Sequence, residues 1–497
     1  MNLANLSEKI KSIFLHDFFS SLNSELKNRN TELLSNLSKV NSNLSSIKTP
    51  SSLKEYIITN IPPEGIIIDV SGEYKFGNDI IWSPNNSCTA ITINADNVTL
   101  DLNQFILSVN PSTFVNNNGA QFNGISVLES TNIVIQNGSI DKVSYYGVNI
   151  SKSLDIKIDN ITIGNINYIE TSKKDLTPCG IFIESTDGFY IQNSIVQNVS
   201  VTAPSCAGIQ VIKSNDGKVS NCRLEKFLNN DGGVQGFSYI SSTKILTQNC
   251  TCENFQSHYQ GITMTTGHTV IGYVPIFCDQ LEFNDCSSTS MTGCCDDCHG
   301  MSVFLDTNVV VNNFRALKIT DGVTPRNTGA KATGLEVYGS NIIINNCKAK
   351  DIKAIIPQDL QSAGFSAWGN NITFNDCVAD NVTVTDAEGT PSASYGYGIG
   401  FGWAPDPRSE FNEVANNVKY NNCTTYNCQI GFDTWYHTNS NWNEVMSHGG
   451  EIFILVQPNA TRTLSMDQCS ESPNGKYQQV SLTNRAKNNT YPMIKKT

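Results

Sequence analysis

A repeat constrains this chain more than any other feature. Glycine followed by alternating apolar residues recurs as "GISV" at Gly124, "GVNI" at Gly147, "GIFI" at Gly180, "GIQV" at Gly208 and "GFSY" at Gly236. The series continues at Gly261, Gly300, Gly334, Gly364, Gly398 and Gly431. Thirteen residues after each of the first five glycines stands an asparagine: Asn137, Asn160, Asn193, Asn221 and Asn249. The same polar slot then runs through Asp285, Asn313, Asn346, Asp376 and Asn422, and cysteine often follows it, at Cys222, Cys250, Cys286, Cys347, Cys377 and Cys423. Between glycine and Asx lies a second apolar segment behind a turn signal, as in "STNIVIQN" and "GSNIIINN". Alternation over so few residues is the period of a strand, not of a helix.

Three short strands in a repeat of 23–39 residues describe one coil of a parallel β-helix. Such coils stack at the interstrand spacing of roughly 4.8 Å. The Asx residues are expected to form a ladder at one corner, and the cysteines to stack inside as small hydrophobes. The interval from Asx to the next glycine varies: 10 residues after Asn137, 20 after Asn160, 21 after Asn313 and 22 after Asp376. Insertions therefore gather at the corner that feeds the glycine strand, and one-sided insertions in a solenoid mark its functional face.

The segments "GISVLESTNIVIQNGSI" and "GLEVYGSNIIINNCKAKDI" resemble coils of the pectin lyase-like right-handed β-helix superfamily, closest in local pattern to polygalacturonases. Residues 95–107, "ADNVTLDLNQFIL", resemble the first full coil of such proteins. The resemblance spans about residues 55–455 and implies an all-β right-handed parallel β-helix of about eleven or more coils. That fold hosts lyases, hydrolases, epimerases and phage or viral spikes, so it does not choose a function.

The ends read differently. Residues 1–48 carry Leu26, Leu33, Leu37, Val40, Leu44 and Ile47 at heptad-like steps, with Asn30 at a polar core slot. This is either a short coiled-coil seam or a helix capping the open coil end. Residues 49–54 read as a linker, and residues 456–497 as a C-terminal cap and tail. A charge of −12, with 16% charged residues, gives no electrostatic footprint for nucleic acid or an anionic membrane. No apolar run reaches membrane-spanning length, and the N-terminus lacks the pattern of a secretory signal. The asparagine-rich, lysine-over-arginine composition would suit a surface or fibre protein of a large DNA virus. Virion-surface or extracellular placement is the corresponding expectation.

The densest chemistry is "GCCDDCHGMSV", residues 293–303. In polygalacturonases the family pattern is Asn-Thr-Asp, Asp-Asp, Gly-His-Gly and Arg-Ile-Lys on successive coils. By that resemblance His299 takes the histidine slot, but the preceding coil offers Tyr259 and Gln260, the one before offers Gln235, and the following one offers Glu336 and Tyr338. The carboxylate pair that glycoside hydrolysis needs is thus missing from its slots. Asp296 and Asp297 read as a turn outside the strand register. Cys294, Cys295 and Cys298 read as corner packing, with a local disulfide or a metal site as lesser alternatives. No cofactor and no metal is expected.

Along the glycine strands, positions one and three after glycine are apolar and face inward, so positions two and four face outward. Position four reads Phe304, Tyr338, Trp368, Gly402 with Trp403 beside it, and Trp435. Position two includes Ser302, Glu336, Ser366 and Asp433; His437 and the insertion bearing Asp406 and Arg408 flank the row. An aromatic row can stack on sugar rings, form a subunit interface, or be covered by loops as secondary core. Two function classes follow. One is a surface or fibre-type protein, a homo-oligomer and in the simplest case a trimer, binding glycan along the row. The other is a polysaccharide lyase or glycoside hydrolase using His299, Glu336, Asp433 or His437.

Overall fold

The computed structural model describes residues 54–115, 119–169, 177–258, 268–294, 297–322, 331–355, 362–386, 390, 398–402, 415–433, 437–449, 452–455, 465–467 and 470–471. The expected N-terminal helical segment, the linker up to residue 53 and most of the C-terminal tail lie outside these residues. The described residues from Glu55 to Glu471 form a right-handed parallel β-helix: their strand pairings are parallel and link each strand to its counterpart one coil on. One helical turn, Pro111–Val115, interrupts the strands.

The coils are built from the three segments that the repeat predicts, although in some, such as Asp297–Asn312 and Lys331–Asn345, two of them run on as one strand. In one coil, Ser205–Ile212 bears the glycine, Asn215–Ser220 follows the polar corner, and Arg223–Asn229 follows the Asx corner. The Asx corner exists because asparagine and aspartate tolerate left-handed backbone. Asn137, Asn160, Asn193, Asn221, Asn249, Asp285, Asn313, Asn346, Asp376 and Asn422 all have φ between 50° and 57°. Their side chains bond from coil to coil: Asn221 Nδ2 donates to Asn193 Oδ1 at 3.2 Å and Asn346 Nδ2 to Asn313 Oδ1 at 2.8 Å. The six cysteines after this slot are buried, and each thiol donates to the carbonyl two residues before it and to one on the preceding coil, as Cys377 does to Asn375 and Ile344. The described cysteines other than Cys294 are free thiols.

Two coils thread differently from the repeat reading. The coil expected at Gly261 is built at Gly272, because Phe237 pairs with Tyr273 and Tyr273 with Met301. Gly261 lies outside the described residues. Likewise Phe365 pairs with Phe401, so Gly400 rather than Gly398 takes the glycine slot. Close approach selects these glycines. A Cβ on Gly272 would meet Ser288 Oγ at 2.0 Å, and one on Gly400 would meet Thr425 Cγ2 at 2.4 Å.

The glycine also sets which side chains point out. A Cβ on Gly300 would fall 2.7 Å from buried Ala316, on the core side, where Met301 also points. Two successive inward positions reset the alternation, as in a β-bulge. The residue before each glycine therefore faces outward, together with positions two and four after it. Inside, position one stacks along the axis, with Phe365 on Phe401 at 4.7 Å and Phe401 on Phe432 at 5.2 Å between centroids.

Candidate functional site

Three coils carry the polar chemistry of the outer face. Strand Asp297–Asn312 supplies His299 and Ser302, strand Lys331–Asn345 supplies Lys331, Thr333 and Glu336, and strand Ser362–Asn375 supplies Ser366. Register places Ser302 beside Glu336 and Glu336 beside Ser366. His299 stands beside Thr333, and Asp297 beside Lys331. Asp297 is thus a strand residue, not part of a turn as its sequence context suggested. Asp296 and Cys295 lie outside the described residues.

The core of this cluster is a buried ion pair. Lys331 Nζ bonds Glu336 Oε1, while Ser302 Oγ donates to Glu336 Oε2 at 3.3 Å and His299 Nε2 lies 3.6 Å from the same oxygen. His299, Lys331 and Glu336 retain 2%, 4% and 8% of their surface, so their mutual contacts are only weakly screened. Burial alone would push the Glu336 carboxyl up, but the charges of Lys331 and His299 and the bonds from Lys331 and Ser302 outweigh it and hold Glu336 at about 2. Burial lowers His299, and Glu336 only partly opposes this, so the imidazole is neutral at neutral pH. Behind the pair, Asp321 Oδ2 accepts the Lys331 N–H at 2.8 Å, and burial, reinforced by Asp297, pushes its carboxyl well up.

Position four forms a continuous aromatic run. Phe304 meets Tyr338 edge-on at 5.2 Å, and Tyr338 meets Trp368 at 5.6 Å. Lys331 Nζ sits 5.4 Å from the Trp368 ring centre, within cation–π range. The rings form an apolar cluster of their own, separate from the coil interior. Of the three uses open to an outward aromatic row, burial as secondary core fits two of these rings. Tyr338 and Trp368 keep only 5% and 7% of their surface, while Phe304 is partly exposed. Among the described residues, the rings pack laterally on one another from adjacent strands, with Lys331 over Trp368.

The other expected site residues divide. Asp433 is buried in the column of Ser302, Glu336 and Ser366, three coils beyond Glu336. It is therefore apart from the His299–Glu336 contact. With Gly400 in the glycine slot, Gly402 belongs to that column too and not to the aromatic row. Trp403, Asp406, Arg408 and Trp435 lie outside the described residues. His437 begins a two-residue strand, and its side chain is not described. Among the described residues no group of three metal-ligating side chains occurs. Lys331 was missed in the sequence because positions were counted onward from glycine. The signal was a lysine three residues before Gly334, with only Ala332 and Thr333 between them.

No protein-family model matches the chain, and no curated protein matches it. Solved structures do. The tailspike protein of E. coli bacteriophage HK620 in complex with pentasaccharide is similar at 10% identity and a TM-score of 0.43, covering 80% of this chain and 72% of that one. The bacteriophage Phi29 gene product 12 N-terminal fragment is similar at 10% identity and a TM-score of 0.42, covering 86% of each chain. The A-module of the Azotobacter vinelandii mannuronan C-5 epimerase AlgE6 is similar at 10% identity and a TM-score of 0.32, over 85% and 89%. Likenesses of this order concern the course of the coil and assign no chemistry to this chain.

Proposed function

We propose that this protein is a surface or fibre-type β-helix that binds glycan on the outer face of its glycine-strand sheet, and that it acts as a homo-oligomer, in the simplest case a trimer. The observation that carries the glycan reading is the run Phe304–Tyr338–Trp368 beside the polar column Ser302–Glu336–Ser366. Aromatic faces stack on the C–H faces of sugar rings, and hydroxyl and carboxylate groups at the spacing of the coils bond their hydroxyls. Phe304, the partly exposed ring, is the point of entry. Tyr338 and Trp368 join only where the face is uncovered. The heptad-like leucines between Leu26 and Ile47 support self-association.

The full chain on a glycan array tests this reading. Retention of at least one glycan class, weakened by Phe304→Ala at unchanged melting temperature, is the expected result. Retention of none overturns it.

One observation favours a second reading, a polysaccharide lyase or glycoside hydrolase. His299 is neutral and 3.6 Å from an ionised carboxylate, the arrangement of an oriented general base. Against it, Lys331 already occupies Glu336, and Asp433 is three coils away. Release of reducing ends or of unsaturated sugars from any polysaccharide, abolished by His299→Ala, would establish the enzyme.

A further inference from the structure

The same face specifies the charge of its ligand. Five outward polar atoms are buried and have no hydrogen-bond partner among the described residues: Gln235 Oε1, Ser238 Oγ, His299 Nδ1, Thr333 Oγ1 and Ser366 Oγ. Buried polar groups in native proteins are nearly always satisfied, by protein, water or ligand. These five lie in two adjoining columns: Gln235, His299 and Thr333 before the glycine, and Ser238 and Ser366 after it. Four coil steps separate the Gly236 coil from the Gly364 coil, roughly 19 Å along the axis at the interstrand spacing. Hydroxyls both donate and accept, an amide oxygen accepts, and a neutral imidazole offers one of each. A partner for this set must therefore present donors and acceptors together, repeated along a line.

Among the described residues of these strands, no cation is left over for an anion. From Gly233–Ile240 to Gly398–Phe401, Lys331 is the only lysine or arginine among the described residues of the glycine strands. Its ammonium is engaged by Glu336. His299 is lowered and neutral, Asp297 adds negative charge beside Lys331, and the whole chain carries −12. Recognition of a uronate or sulfate needs an arginine or lysine free to bond it.

We infer that the ligand of this face is an uncharged, hydroxyl-rich chain lying along the helix axis, and that the face rejects acidic polysaccharides. This rests on the glycan reading above and names the class of glycan. The full-length protein is titrated calorimetrically with neutral hexo-oligosaccharides, N-acetylhexosamine oligomers and oligogalacturonate of equal length. Binding to a neutral oligomer, unchanged from about 0.05 to 0.5 M salt, with oligogalacturonate at least roughly tenfold weaker, is expected. Glu336→Gln removes the carboxylate paired with Lys331 and should raise oligogalacturonate affinity by roughly tenfold in low salt. Circular dichroism checks that this variant is folded, and the wild-type titrations stand without it. Preference of the wild type for oligogalacturonate overturns the charge inference while upholding the glycan reading. Binding of no oligomer overturns both.

Discussion

Lys331 and Glu336 stand five residues apart on one strand, on either side of Gly334, and yet meet on the same outer face as a buried ion pair. Strict alternation would put residues an odd number apart on opposite faces. The inward glycine supplies the missing step. A Cβ on Gly334 would lie 2.5 Å from the Ala349 Cβ and 2.6 Å from the Gly364 oxygen. Gly334→Ala should therefore cost about 1–3 kcal/mol by overpacking and also part the pair. The first is read from the denaturation midpoint, the second from loss of any further effect of Glu336→Gln in the Gly334→Ala background.

Breaking the pair from either side leaves a buried charge that has lost its ion-pair partner. Lys331→Ala and Glu336→Ala should each destabilise by about 3–5 kcal/mol. The double variant Lys331→Met/Glu336→Leu, which removes both charges and keeps bulk, should cost less than either single change. Chemical denaturation of the three variants checks the order.

A second buried carboxyl makes stability depend on pH. A column of side chains at the polar corner accepts backbone N–H bonds from one coil to the next: Ser153 from Ser130, Ser214 from Thr186, Ser242 from Ser214. Cys278 and then Asp306 continue it, and Asp306 also accepts from Phe304 N–H at 3.2 Å. Burial raises Asp306 to about 7, against the opposing bonds from Cys278 and Phe304. The native state thus holds the proton more tightly than the unfolded chain does. The stability Asp306 contributes is full below about pH 4 and is lost as pH rises through 7, by about 1.4 kcal/mol for each pH unit between the two titrations. Asp306→Ser restores the hydroxyl of the column. Its melting temperature relative to wild type should rise between pH 5 and 8.5, and a constant difference would contradict this account.

How much of this was legible in the sequence follows from what each signal encodes. The Asx corner was legible because left-handed backbone selects asparagine and aspartate, and the cysteine column because each thiol follows that corner. The glycine slot was legible except where two nearby glycines compete for it, Gly261 with Gly272 and Gly398 with Gly400. Gly272 stands thirteen residues before Asp285, the interval of the first five coils, yet the apolar pattern "GITM" drew the reading to Gly261. The outward direction of His299 was hidden by the bulge, since alternation counted from Met301 says nothing of the residue before Gly300. Burial of Tyr338 and Trp368 comes with contacts between neighbouring coils, which no strand period records.

Burial of the cysteines predicts selective thiol chemistry. Burial raises Cys206 and Cys428 to about 12, so their thiolates are scarce as well as inaccessible. Cys88, the one described cysteine that is not buried, should be alkylated in the native protein, whereas Cys206, Cys347 and Cys428 should react only on unfolding. Peptide mapping after timed labelling checks this, and native labelling of Cys347 would contradict the packing.

The aromatic run separates stability from binding. Trp368→Ala empties a buried site and should cost about 3–5 kcal/mol. Phe304→Ala removes a partly exposed ring. It should cost far less stability, but about 1 kcal/mol of glycan affinity. Thermal melts and titrations of both variants measure the two effects side by side.

A crystal structure of the full chain with a bound neutral oligosaccharide tests the central claim most directly. The account predicts a sugar ring within about 4 Å of Phe304 and a chain running along the helix axis. Its hydroxyls should meet Ser302, Thr333 and Ser366. Saccharide bound on another sheet, for instance over exposed Tyr190, with the Phe304 face left unoccupied, would contradict it.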